Sequence, residues 1–215
     1  MPKFDNTQIA GYKTAHDWCD FRDNFNLSAN RCPEIWARAF DEYFYPRLKT
    51  RYLDPIDAIK RIDKAEGEGF SILAIQCTLV EFLESTIQGR KYVKRKGQER
   101  EEDLALRNEY SWSGGIFKSF LTHRHPFCNH FDLDSAASFY DDIRCGLLHE
   151  ARTKNGWRIW EKSEVLSIID PAKKIIFRND FHLAIEEFIA WYQNELQAKQ
   201  KLQEAFVRKF DHLCE

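Results

Sequence analysis

Apolar residues recur at three- and four-residue intervals along most of the chain, the period of a helix with one buried face. The most apolar such stretch is Phe70–Gln88, where Ile72, Ile75, Leu79, Val80, Phe82, Leu83 and Ile87 form a broad apolar arc. Glu81, Glu84 and Ser85 occupy the narrow opposite strip, which predicts the central helix of a bundle. Pro33 suits a first helical turn, and Ile35, Trp36, Ala39, Phe40, Tyr43 and Phe44 follow at helical spacing, with Pro46 expected to bend or end that helix. Asp54-Pro55 reads as the cap and first turn of another helix, carrying Ile56, Ile59 and Ile62 and stopping near Gly67. In Ser135–Arg152, Asp134 or Ser135 serves as N-cap, and Ala136, Phe139, Tyr140, Ile143, Leu147 and Ala151 make the apolar stripe. From Asp180 onward, Phe181, Ala184, Ile185, Phe188, Ile189 and Tyr192 are strongly helical. Leu196, Leu202, Phe206 and Phe210 carry the pattern to the C-terminus.

A different pattern precedes that last helix. Trp157–Glu161, Val165–Ile169 and Lys174–Phe177 are short and rich in β-branched or aromatic residues, and Asn155-Gly156 and Asp170-Pro171 are turn signals. They predict a hairpin or three-stranded appendage over about 156–178. Met1–Arg31 is the least periodic part, with a weak helical signal at Asp17–Phe25. The expected fold is mainly α: a single domain over 1–215, with a core bundle of four or more helices at about 33–213 and an N-terminal extension over 1–31.

Composition narrows the partners. Hydrophobic residues make up 43% of the 215 positions, enough for a sizeable core, and the net charge of −2 gives no bulk attraction to nucleic acid. Met1–Asn30 lacks the apolar segment of a signal peptide, and no run is expected to approach a membrane-spanning length. The six cysteines are scattered without paired spacing, so they are expected as reduced thiols in a cytoplasmic protein.

The chemistry concentrates on Ser135–Arg152. At about 100° per residue, Arg144 lies on the shoulder of the apolar stripe and His149 about 140° further round. Between them lie Asp141, Cys145, Leu148 and Arg152, and an apolar Leu148 among polar groups suggests a face that another subunit covers. On its own this arrangement also admits a bland reading, in which Arg144 pairs with Asp141 or Tyr140 and His149 sits on the surface. A second Arg-to-His spacing, Arg124 to His130, contains Pro126 in a turn-rich segment and lacks the helical setting.

Arg144-Cys145-Gly146-Leu147-Leu148-His149, on a late helix followed by a turn and a final helix, resembles the Arg–x(4–6)–His motif of the HEPN superfamily. The resemblance covers about Phe70–Asn194. It implies a HEPN-like helical bundle and a metal-independent endoribonuclease, without cofactor, that acts as a homodimer with both Arg–His pairs converging on one cleft. In that setting Arg144 would hold the phosphate and His149 would move the proton at the attacking or leaving oxygen, with the substrate's 2′-hydroxyl as nucleophile. It further implies a role in defence or as a toxin held in check by a regulatory protein partner. The chain departs from the family at Cys145, where a polar residue is common and a thiol is a weaker hydrogen-bond partner. That departure leaves open a non-catalytic RNA- or nucleotide-binding or assembly module. Glu81 and Glu84 are candidates to orient Arg144 or His149, or else form a solvated strip.

Two further clusters carry ligand-type chemistry. Arg90, Lys91, Lys94, Arg95 and Lys96, with Tyr92 and Trp112 nearby, could track an RNA backbone and stack a base. Equally, the run is a helix end that the acidic Glu99–Asp103 neutralises. His123, His125, Cys128 and His130 share a loop, but their spacing matches no zinc signature and no metal is expected.

Overall fold

The computed structural model describes residues 7–62, 66–95 and 97–215. The chain is mainly α-helical, as its periodicity predicts. It opens on a short antiparallel pair, β1 (Gln8–Ala10) and β2 (Lys13–Thr14), followed by α1 (Ala15–Asn24). Helix α1 starts at Thr14, whose hydroxyl accepts from Asp17 N while the Asp17 side chain accepts from Thr14 N, a reciprocal cap. Next come α2 (Pro33–Ala39), α3 (Tyr45–Leu48) and α4 (Asp54–Lys60), joined by π-helical turns at Phe40–Phe44 and Lys49–Leu53. The helix therefore passes Pro46 instead of stopping there. Tyr45 N–H reaches Phe40 O, five residues back, and this wider turn makes room where a proline ring would meet the carbonyl of an ordinary α-helix.

Helix α5 (Glu68–Gln88) is the long apolar helix the sequence predicts. By length and composition it could cross a membrane, which corrects the expectation that no run is long enough. Yet 67% of its most apolar window is buried within this chain. Among the described residues of the charged stretch after it, β3 (Lys91–Tyr92) pairs in parallel with β4 (Glu109–Tyr110), and α6 (Glu101–Leu106) lies between them. Then follow α7 (Ser113–His123), a 3₁₀ turn (Phe127–Asn129), α8 (Leu133–Ser138), a π-helical turn (Phe139–Arg144) and α9 (Cys145–Glu150). The predicted appendage is a three-stranded sheet of β5 (Arg158–Trp160), β6 (Ile169–Asp170) and β7 (Ile175–Phe177) in the order β5-β7-β6, but of the predicted strand Val165–Ile169 only Ile169 is in it, and Val165 and Leu166 are exposed. Its β5–β7 pair is parallel and its β6–β7 pair antiparallel. Asp170 Oδ1 accepts from Lys173 N and closes the turn between β6 and β7. The last helical stretch is two helices, α10 (Arg178–Ala198) and α11 (Gln200–Leu213), broken at Lys199.

The chain forms two compact units. The first comprises Met1–Leu53, Ser85–Trp112 and Trp191–Glu215. Its core is aromatic: Trp18 lies 5.1 Å from Phe210 and 5.2 Å from Tyr43, and Phe44 lies 5.0 Å from Tyr192. Ile9, Trp18, Phe21 and Leu27, from the segment read as an extension, are all buried. The second unit comprises Asp54–Glu84 and Ser113–Ala190 and contains the helix that bears Arg144 and His149. Phe139 stacks on Phe181 in its core at 5.4 Å, and Phe120 packs against Phe127 and Phe188.

Candidate functional site

The Arg144 helix is built from both ends. Asp132, not Asp134 or Ser135, is its N-cap: Asp132 Oδ1 accepts from Ser135 N at 2.8 Å, and Ser135 Oγ accepts from Asp132 N at 2.9 Å. The hydroxyl and backbone hydrogen bonds from Ser135 hold the Asp132 carboxyl below the usual range. Ala136, Phe139, Tyr140, Ile143 and Leu147 are buried as predicted, whereas Ala151 is exposed. In the middle, Cys145 N–H bonds Tyr140 O, five residues back. This π-helical turn shifts the phase of Arg144 against the apolar stripe, so the two do not lie on one regular wheel. At the far end Ala151 adopts the left-handed conformation (φ 52°) and stops the helix directly after Glu150.

The turn beyond folds back closely. A Cβ at Gly146 would lie 2.4 Å from Arg152 O, so only glycine fits inside the Arg–His spacing at this point. Lys154 N donates to Asp142 O, and Asn155 Nδ2 to Asp142 Oδ1, which holds the returning chain against the helix.

Arg144 reaches inward. Its Nη2 donates to Glu81 Oε2 at 3.3 Å, and its guanidinium lies 5.5 Å from the Tyr140 ring and 5.7 Å from Phe117. Its side chain is 16% exposed. Burial works against its charge, but Glu81, with Tyr140 and Cys145 alongside, outweighs this and holds its pKa above the ordinary arginine value. Ser113 Oγ and Tyr140 Oη are 2.9 Å apart, which fixes the ring beneath the guanidinium. His149 is exposed, one residue before the helix end. Among the described residues its side chain has no hydrogen-bond or ion-pair partner. Leu148 beside it is 46% exposed. Asp141 is exposed and does not pair with Arg144, and Cys145 is half-buried.

Glu84 serves another arginine. It is fully buried and accepts from Arg124 Nε at 2.8 Å, Arg124 Nη2 at 3.0 Å and Ser119 Oγ at 2.6 Å. Thus of the two carboxylates on one helical strip, the structure brings Glu81 to Arg144 and Glu84 to Arg124. Phe117, which meets Arg144, and Ser113, which meets Tyr140, both on α7, are the neighbours of this site that sequence reasoning missed.

The basic cluster lies in the first unit and is largely neutralised there. Arg90 donates from Nε to Glu109 O and lies over the Tyr110 ring, Lys91 pairs with Glu215, and Arg95 pairs with Glu101 at 2.8 Å. Lys94 is exposed, as are Tyr92 and Trp112, and Lys96 falls outside the described residues. Among the described residues no three His, Cys, Asp or Glu side chains converge as metal ligands. His125 instead faces Glu187 at 3.4 Å, and His123 Nδ1 lies 3.1 Å from Ser119 O.

Comparison with known proteins finds no match: no protein-family model, no curated protein and no solved structure matches this chain.

Proposed function

We propose that this chain is a metal-independent endoribonuclease of HEPN type that acts as a homodimer and cleaves RNA through the substrate's own 2′-hydroxyl. One observation carries the reading: a guanidinium held in place by Glu81 and two rings, with an exposed, unpartnered imidazole further along the same helix. Such a guanidinium suits a fixed phosphate contact that neutralises charge developing on the phosphoryl oxygens. An imidazole in water suits proton transfer at the attacking or leaving oxygen. The products are a 2′,3′-cyclic phosphate and a 5′-hydroxyl. Exposed Leu148, flanked by the two residues, is the apolar contact a second copy would cover, bringing its own pair to a shared cleft. Incubating the purified protein with RNA in EDTA tests this directly. Cleavage is expected to persist under chelation and to vanish in Arg144→Ala and His149→Ala. Intact RNA, or variants that cleave as well as the parent, overturns it.

A second reading has its own support. Arg144 is mostly covered and already engaged by Glu81, and Cys145 follows it, which favours a non-catalytic RNA- or nucleotide-binding module. That reading expects tight binding without turnover.

A further inference from the structure

We infer that Cys19 and Cys214 form an oxidisable thiol pair that closes into an intramolecular disulfide joining α1 to the C-terminal end of α11. The two helices pack on each other within the first unit, and Asp211 pins their crossing. Asp211 Oδ1 accepts from Trp18 Nε1 at 2.8 Å and from Arg22 Nη1 at 2.8 Å. Trp18 is fully buried against Phe206 and Phe210, so the helix face next to Cys19 cannot slide. Three residues past Asp211, Cys214 caps α11. Its thiol donates to Phe210 O at 3.2 Å and lies 3.9 Å from Ala15 O, in the first turn of α1.

That position is where the Cys19 side chain points. In an α-helix the carbonyl of Ala15 bonds the N–H of Cys19, and a helical side chain leans toward the N-terminus over the preceding turn. Cys19 therefore lies over the turn that Cys214 touches, close enough to raise the pKa of the Cys214 thiol. Their exposures differ. Cys19 is half-buried and open to a reagent, while Cys214 is 6% exposed. Burial, with Cys19 and Asp211 adding to it, pushes the Cys214 thiol up to about 12, so Cys19 reacts first and Cys214 resolves.

The co-reactant is a small-molecule disulfide of the glutathione type. The Cys19 thiolate attacks one of its sulfurs, forming a mixed disulfide and releasing one glutathione thiolate, which takes up the proton Cys19 gave. Cys214 then attacks the Cys19 sulfur, and its proton passes to the second departing glutathione. Two protein thiols are oxidised to one disulfide, and one glutathione disulfide is reduced to two thiols.

The test uses the full chain with oxidised glutathione, followed by alkylation, digestion and mass spectrometry without reductant. The expected product is a peptide pair linked through Cys19 and Cys214, accompanied by a higher thermal midpoint that reductant reverses. Cys19→Ser is expected to lose the linked pair and the midpoint rise, while keeping the midpoint of the reduced parent. Parent protein in which Cys19 carries glutathione and Cys214 remains alkylatable overturns the pair. So does oxidation confined to the exposed Cys32 and Cys128.

Discussion

Arg124 closes a two-pronged ion pair on Glu84, with Nε 2.8 Å from one carboxylate oxygen and Nη2 3.0 Å from the other. The pair is asymmetric: Glu84 is fully buried, whereas Arg124 keeps 25% of its side chain exposed. Removing one partner of a buried pair strands the other charge in a poor solvent, at a cost of several kcal/mol. Arg124→Ala strands the carboxylate and is expected to lower stability by about 3 kcal/mol. Arg124 can turn to water when Glu84 is lost, so Glu84→Gln, which keeps the shape and both ends of the amide polar, is expected to cost less. Urea unfolding of the two variants checks the order. An Arg124→Ala midpoint equal to the parent's contradicts it.

Glu81 holds Arg144 from the neighbouring helix, and its effect on activity is expected to run through that arginine. On the proposed reading, a hydrogen bond to a charged group contributes about 1.5–3 kcal/mol, enough for roughly a tenfold loss of RNA cleavage in Glu81→Ala. Glu81→Gln keeps an acceptor oxygen and is expected to retain more activity. A misaimed guanidinium lowers kcat more than it raises KM. Unchanged kcat in Glu81→Ala reduces the contact to an ordinary ion pair.

Burial of His182 is expected to make the fold sensitive to acid. It is 3% exposed on α10 and lines a cleft of about 960 Å³ with Asp57 and Lys60 of α4, Lys162 and Glu164 of the loop before β6, and Asp180 and Glu186 of its own helix. Burial, reinforced by Lys60 and opposed by Asp57, lowers its pKa from 6.5 to about 4. The unfolded chain then binds a proton that the folded chain refuses between those two values. Stability is therefore full above about pH 6.5 and falls as pH drops toward about 4, with His182 contributing up to about 3 kcal/mol of the loss. In His182→Leu that part of the slope is expected to disappear when unfolding is followed against pH. An unaltered slope assigns the acid sensitivity to other groups.

Much of this architecture was legible because burial imposes a period. Ile72 to Ile87 and Phe181 to Tyr192 repeat at helical spacing because one face of each helix is covered, and the Asn155-Gly156 and Asp170-Pro171 turns mark themselves by residue type. Other features leave no such trace. The break at Lys199 has neither proline nor glycine, and the π-helical turns ending at Phe44 and Arg144 keep apolar residues at spacings that still read as regular helix. The Thr14–Asp17 cap was readable but lay in a stretch of poor periodicity. At the candidate site, counting along the helix put Glu81 and Glu84 on one strip. Which glutamate meets Arg144 and which meets Arg124 depends on how α5, α7 and the Arg144 helix pack, and no single-chain pattern encodes that.

Gly146 and Ala151 together set where the His149 helix ends, and they predict opposite effects of adding or removing one methyl group. A Cβ at position 146 would stand 2.4 Å from Arg152 O, a backbone atom that cannot turn aside, and Arg152 N already bonds Gly146 O at 3.3 Å. Gly146→Ala must therefore displace the returning turn, and overpacking of this kind costs about 1–3 kcal/mol. Ala151 is the reverse case: at φ 52° its own Cβ is strained, and Ala151→Gly is expected to stabilise the fold by about 1 kcal/mol. Because the turn adjoins His149, the proposed ribonuclease activity implies that Gly146→Ala also lowers RNA cleavage beyond what its stability loss explains, with Ala151→Gly leaving cleavage near the parent level. Thermal unfolding and cleavage assays on the two single variants separate the effects. A Gly146→Ala protein as stable as the parent shows that the turn does not need the close approach.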